Sequence, residues 1–164
     1  KEEMHNIAST LGSDLNFFLV GGTAIGKNRG DVIASLPDID VDNILLVNPG
    51  IEISAKEAYG AVELPVQCET RHFDQNKVIE TMFNRLEHGI CMKYPKVSEI
   101  IELMKHNGAC KSQMSGSGST CFGIFKNDDS LDLCRSFFTK MGYWTHKTRT
   151  LSRSEYVSCF QSLN

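Results

Sequence analysis

From Asn43 onward, strand-like runs and helical spacings follow one another in an order that leaves few folds open. NILLVNPG reads as a short buried strand ended by Pro49-Gly50. Ser54-Ala55-Lys56-Glu57 is a capping box, which predicts a helix running to about Val62. Val78, Ile79, Met82, Phe83 and Leu86 mark a second helix, with Asp74 as its cap. A third starts near Pro95, carries Val97, Ile100, Ile101 and Met104 on one face, and stops at Gly108. ACKSQM and TCFGIF read as two strands flanking Ser115–Thr120, a run of alternating serine and glycine. Leu131, Cys134, Phe137, Phe138 and Met141 make a fourth helix ended by Gly142, and YWTHKTRTL is a last strand.

Strand, helices, strand, strand, helix, strand is the split βαβ, ferredoxin-like order: one antiparallel sheet with helices on one face. The expected class is therefore α+β, with a ferredoxin-like domain over 43–164. Residues 1–42 stand outside it. Met4, Ile7, Ala8 and Leu11 recur at helical spacing up to Gly12, and FFLVGGTAIG and DVIASLP read as two strands joined through Lys27–Gly30. A helix that opens at residue 1 without a cap predicts a chain that continues upstream, with residues 1–42 as the end of a preceding domain. Asp38, Asp40 and Asp42 alternate as calcium ligands do. They lack the glycine and distal glutamate of an EF-hand loop, so a solvated linker is expected. SRSEYVSCFQSLN is weakly helical and suggests no function.

Composition narrows the classes further. A formal charge of −3 argues against nucleic-acid binding by bulk electrostatics, and no apolar run approaches the ~20 residues that span a bilayer. Six cysteines without a C-x-x-C pair fit a reducing compartment and offer no zinc pattern.

Two places can carry chemistry. Ser115–Thr120 is either an anion-binding nest of backbone N–H groups or a tight hairpin turn, and it lacks the ending of a Walker loop. Asp14 lies between the first helix and an apolar stretch, where partial desolvation would raise a carboxylate's proton affinity. Alternatively, Ser13 or Asp14 satisfies the donors of a turn. His72, His88, His106 and His146 form no paired spacing and read as surface or capping residues.

LGSDLNFFLVGGTAIGKNRGD together with MSGSGSTCFGIF resembles two blocks of the GHMP small-molecule kinases. NPGIEISAKEAYG, NRLE and KHNGACKSQMSGSGS extend the likeness to most of the chain. Within that superfamily the likeness is to the branch that phosphorylates the 2-hydroxyl of 4-diphosphocytidyl-2-C-methyl-D-erythritol, in the non-mevalonate route to isoprenoids. The resemblance implies a ferredoxin-like C-terminal domain preceded by the tail of an N-terminal, ribosomal S5-like α+β domain. It implies ATP and Mg2+, with Asp14 as the catalytic base. Ser115, Gly116, Ser117, Gly118 and Ser119 would complete the phosphate and substrate pocket.

Tyr59 falls where family members carry an aromatic residue near the cytosine, although an ordinary packing role is equally open. Ala55 stands in a substrate-binding segment that often carries serine and threonine, so a hydroxyl contact is lost there. Asn16 replaces a frequent proline, and Arg85 replaces an acidic residue. Lys27, Arg29 and Lys111 either neutralise the substrate diphosphate or are ordinary solvated charges. The family's nucleotide loop and its active-site lysine would lie upstream of Lys1, so this segment alone is expected to be inactive. The partners implied are a small-molecule substrate and the preceding domain of the same protein, with neither nucleic acid nor membrane. Bacterial cytoplasm or plastid stroma is the implied location. The competing readings are a homoserine- or mevalonate-type kinase of the same superfamily and a non-catalytic ferredoxin-like ligand-binding module.

Overall fold

A computed structural model describes residues 2–12, 14–62 and 77–161. The chain forms two compact units, one of residues 1–42 with 149–164 and one of residues 43–148.

The first unit opens with helix α1 (Glu2–Leu11) and a short helix α2 (Leu15–Val20). The apolar Phe17–Val20 stretch is thus helical, not the strand its composition predicts. Strand propensity for such residues measures their fit to a pleated, half-buried face. Phe17, Phe18 and Leu19 are 37%, 57% and 38% exposed on the helix. What buries instead is Asn16, 2% exposed, whose amide ties the segment to its surroundings. Gly21 and Gly22, both at positive φ, then end the helix. Strands β1 (Ala24–Lys27) and β2 (Val32–Ser35) follow as an antiparallel hairpin, with Ala24 opposite Ser35 and Lys27 opposite Val32.

The second unit starts with β3 (Ile44–Asn48) and α3 (Ala55–Gly60). Ser54 Oγ accepts the Glu57 N–H at 3.1 Å, which realises the capping box, and the helix closes two residues before Val62. The expected helix over Val78–Leu86 is broken. α4 (Val78–Thr81) is a single turn, Met82 becomes extended at ψ 136°, and α5 (Glu87–Lys93) begins separately. The break has a tertiary cause: Lys111 Nζ donates to the Met82 carbonyl at 2.8 Å, and Asn84 turns its side chain onto another segment. Asp74, the expected cap, lies outside the described residues, as does His72.

α6 (Pro95–His106), β4 (Lys111–Met114), β5 (Cys121–Ile124), α7 (Asp128–Lys140) and β6 (Trp144–Thr148) complete the unit. The sheet order is β4-β5-β3-β6 with every pair antiparallel, the ferredoxin-like arrangement. Its core joins Leu45 and Val47 of β3 to Val97, Ile100, Ile101 and Met104 of α6 and to Leu131, Cys134 and Phe138 of α7. Each fully buried side chain of this size contributes about 2 kcal/mol. Phe138 meets Phe137 and Tyr143 edge-on at centroid distances of 5.3 and 5.7 Å.

The last helix, α8 (Arg153–Gln161), belongs to the first unit, whereas the strand order alone assigned everything after Asn43 to one domain. Hydrogen bonds explain the difference. Asp38 accepts the N–H groups of Thr23 at 2.9 Å and Arg153 at 2.7 Å, and Arg153 Nη2 donates to the Thr23 carbonyl at 2.7 Å. Thr150 Oγ1 bridges Ile39 and Val41, and the Tyr156 hydroxyl donates to the Phe18 carbonyl. Asp38 is exposed, as expected of a linker, and it also serves as an acceptor within this unit. Its carboxyl is held below the usual range first by the Arg153 N–H and then by that of Thr23.

Candidate functional site

Asp14 sits at the N-cap position of α2 with φ −81° and ψ −11°, and its side chain makes no capping hydrogen bond there. It is exposed, and a helix follows it, so the flanking strand expected to desolvate it is not present. Gly30, at φ +91°, lies against it in the β1–β2 turn: a Cβ at Gly30 would come 3.4 Å from Asp14 Oδ1. The Arg-Gly-Asp block thus gives the carboxylate a neighbour without a side chain.

Asn16 fixes that neighbourhood, a role that residue-by-residue reading missed. Its Nδ2 donates to Ser9 Oγ at 2.7 Å and to the Asp31 carbonyl at 2.9 Å. Those two acceptors set the amide's orientation, so His5 Nδ1–H donates to Oδ1 at 3.0 Å. One buried amide therefore links α1, α2 and the hairpin turn beside Asp14. The proline frequent at this position in the resembling family has no side-chain donor and makes none of these bonds. Lys27 and Arg29 are exposed at that turn.

In the second unit the Ser-Gly run is a hairpin connection between β4 and β5. Ser115 N–H donates to the Thr120 carbonyl at 2.8 Å and Gly118 N–H to the Ser115 carbonyl at 3.0 Å. Ser115 and Gly116 are exposed, and a Cβ on Gly116 would meet nothing within 4 Å. Ser119 differs from the others. It is 3% exposed and its hydroxyl donates to the Ile51 carbonyl, so its side chain serves the protein's interior. Asn48 Nδ2 donates to Thr120 Oγ1 at 2.8 Å. The loop's exit is anchored while its middle stays open.

Ala55 and Tyr59 lie four residues apart on α3, hence on one helix face, and both are exposed, Tyr59 by 68%. That leaves the aromatic ring free to offer a face. Elsewhere on the helix, Glu57 accepts from Lys93 Nζ and from the Tyr94 hydroxyl, and these bonds, Lys93 first, lower its carboxyl below the ordinary range. Lys111 spends its ammonium on Met82, so it braces the backbone. His88, His106 and His146 are exposed, and the His146 ring stacks on Trp144. Among the described residues, no group of His, Cys, Asp or Glu forms a metal-binding cluster, and no helix is long and apolar enough to cross a membrane. Burial pushes the Cys121 thiol up to about 12 and that of Cys134 up to about 11, so both behave as apolar core groups.

Comparison with known proteins agrees with this arrangement. The model of the family "GHMP kinases C terminal" matches residues 69–143. A 4-diphosphocytidyl-2-C-methyl-D-erythritol kinase of Thermodesulfovibrio yellowstonii is 32% identical over 162 residues, covering 90% of this chain and 56% of that protein. One from Syntrophus aciditrophicus is 32% identical over 148 residues, covering 87% and 53%. The chain spans about half the length of the curated relatives it matches. A crystal structure of a 4-(cytidine 5'-diphospho)-2C-methyl-D-erythritol kinase superposes with a TM-score of 0.75 at 24% identity, over 91% of this chain and 57% of that one. A homoserine kinase from Cytophaga hutchinsonii gives 0.57 at 12% identity, over 84% and 50%. Both superpositions speak to the fold alone. The family match, the curated relatives and the β4-β5-β3-β6 sheet agree: residues 69–143 match the C-terminal domain of the GHMP kinases.

Proposed function

We propose that this chain is the C-terminal portion of an ATP-dependent kinase that phosphorylates the 2-hydroxyl of 4-diphosphocytidyl-2-C-methyl-D-erythritol. One observation carries the reading: the identity to relatives of that name extends over 90% of the chain and so takes in both units. On this reading residues 1–42 end the N-terminal domain, and the four-stranded sheet with its helices is the C-terminal domain. Bacterial cytoplasm or plastid stroma is the corresponding location.

Asp14 accepts the proton of the attacking hydroxyl as its oxygen bonds to the γ-phosphorus and ADP leaves. Phosphoryl transfer asks chiefly for positioning and charge neutralisation, so one carboxylate suffices as base. Its exposure and lack of a capping bond leave the acceptor oxygens available to a substrate. Ser115–Ser119 supply backbone groups to the nucleotide, with the open space over Gly116 fitting a phosphate and Ser119 acting only through its main chain. Mg2+ neutralises phosphate charge when MgATP is bound. Tyr59 stacks on the cytosine, and Ala55 leaves room beside it. On this reading residues 1–164 alone do not turn over, since the resemblance implies a nucleotide loop upstream of Lys1.

The test is ATP-dependent phosphorylation of the cytidyl substrate by the longest natural form of the protein, with homoserine and mevalonate as alternatives. Activity on the cytidyl substrate alone, falling at least about a hundredfold in Asp14→Asn, is the expected result. A folded protein silent on all three overturns the kinase reading in favour of a binding module. ADP production by residues 1–164 that disappears on Asp14→Asn overturns the inactivity of the segment.

A further inference from the structure

β4 is an edge strand, so its outward N–H and C=O groups need partners other than a neighbouring strand. Where it runs into the glycine loop, the NRLE stretch supplies them. Asn84 Nδ2 donates to the carbonyls of Met114 at 3.0 Å and Gly116 at 2.7 Å. Glu87 Oε2 accepts the Met114 N–H at 2.8 Å. The grip is itself braced: Asn84 Oδ1 accepts the Leu86 N–H at 3.0 Å, and the Asn84 carbonyl accepts that of Glu87 at 3.2 Å. Since Oδ1 is occupied by a donor, the amide cannot flip, and Nδ2 must face the two carbonyls.

Met114 is therefore held at both its N–H and its C=O by one short element. Bridging carbonyls two residues apart also sets the curvature with which the chain enters Gly116. The exit is held by Ser119 on Ile51 and by Asn48 on Thr120. Between the anchors, the backbone over Gly116 is open.

We propose that Asn84 and Glu87 are positioning residues that hold Ser115–Gly118 in the conformation that receives the nucleotide phosphates, an inference resting on the kinase reading above. A loop already fixed at its entrance does not have to be ordered when ligand binds.

Three variants of the longest natural form test this. Asn84→Asp keeps an acceptor for Leu86 but turns a carboxylate oxygen toward the two carbonyls. Glu87→Leu removes the acceptor for Met114, and Glu87→Gln retains one. Amide hydrogen exchange over residues 113–120 reads the clamp directly, and KM for ATP against kcat reads its consequence. Asn84→Asp and Glu87→Leu are expected to speed exchange in the loop about tenfold or more, with α7 unchanged. They should raise KM for ATP about ten- to thirtyfold, as for one or two lost hydrogen bonds, with kcat less affected. Glu87→Gln should behave as the wild type. Wild-type loop exchange in both disruptive variants, or acceleration spread equally over α6 and α7, overturns the clamp. Loosened loops with unchanged KM for ATP overturn its role toward the nucleotide. A wild type silent toward the cytidyl substrate overturns the kinase reading, while the exchange result still decides whether Asn84 and Glu87 hold the loop.

Discussion

Replacing Gly118 by alanine tests why the loop is built of glycine. Gly118 has φ +89°, and a Cβ there would lie 2.7 Å from Met114 Sδ and 3.4 Å from Ile53 Cδ1. The left-handed backbone costs an L-residue about 1–2 kcal/mol. Met114 is 1% exposed in the core, so its sulfur cannot step aside into solvent, and overpacking adds about 1–3 kcal/mol. The sum is about 2–5 kcal/mol. Gly116 is the control. Its φ is +56° and a Cβ would meet nothing within 4 Å, so Gly116→Ala incurs only the backbone cost, about 1–2 kcal/mol. Trp144, the single tryptophan, lies on β6 and reports unfolding of the second unit by fluorescence. In urea, Gly118→Ala should move the midpoint about 1 M below that of Gly116→Ala. Shortening Met114 to alanine removes the obstacle, so Gly118→Ala should cost less in that background, with a coupling of about 1–3 kcal/mol. Equal midpoints for the two alanine variants, or strict additivity with Met114→Ala, would refute the steric argument.

Two further outcomes follow from individual contacts. If Tyr59 stacks on the cytosine, Tyr59→Ala should raise KM for the cytidyl substrate by about five- to a hundredfold, with Tyr59→Phe near the wild type; steady-state kinetics decides, and an unchanged KM removes Tyr59 from the site. Glu155 is lowered to about 2 from an ordinary 4.5, first by the Arg149 hydrogen bond and then by the Ser152 N–H. A depressed carboxyl stabilises the fold above its unfolded pKa, and that contribution is lost as pH falls through the folded value. Attachment of α8 in the first unit should therefore weaken between about pH 4.5 and 2. Hydrogen exchange over 153–161 should show it, and Glu155→Gln should reduce that dependence to the part carried by Asp38, which accepts the Arg153 N–H.

The sequence by itself determined the elements whose cause is local. Pro95 and the apolar spacing behind it make α6, Ser54 and Glu57 start α3, and the Ser-Gly run between two apolar strands makes a hairpin. Their order was enough to give the ferredoxin-like class, because few sheets accommodate it. Asp14 and the glycine loop were legible as motifs for the same reason: each is a short pattern with its own chemistry. Tertiary structure decided what depends on partners distant in the chain. Phe17–Val20 is helical, tied down by the buried Asn16 amide that bonds to Ser9 and Asp31. The helix expected over Val78–Leu86 broke because Lys111 and the carbonyls of Met114 and Gly116 claim its polar groups. Arg153 and Tyr156 drew α8 to the first unit. Asn16 and Asn84 carry no periodic signal at all; an amide's role is set by the donors and acceptors that folding brings to it, and those arise only once the chain has closed on itself.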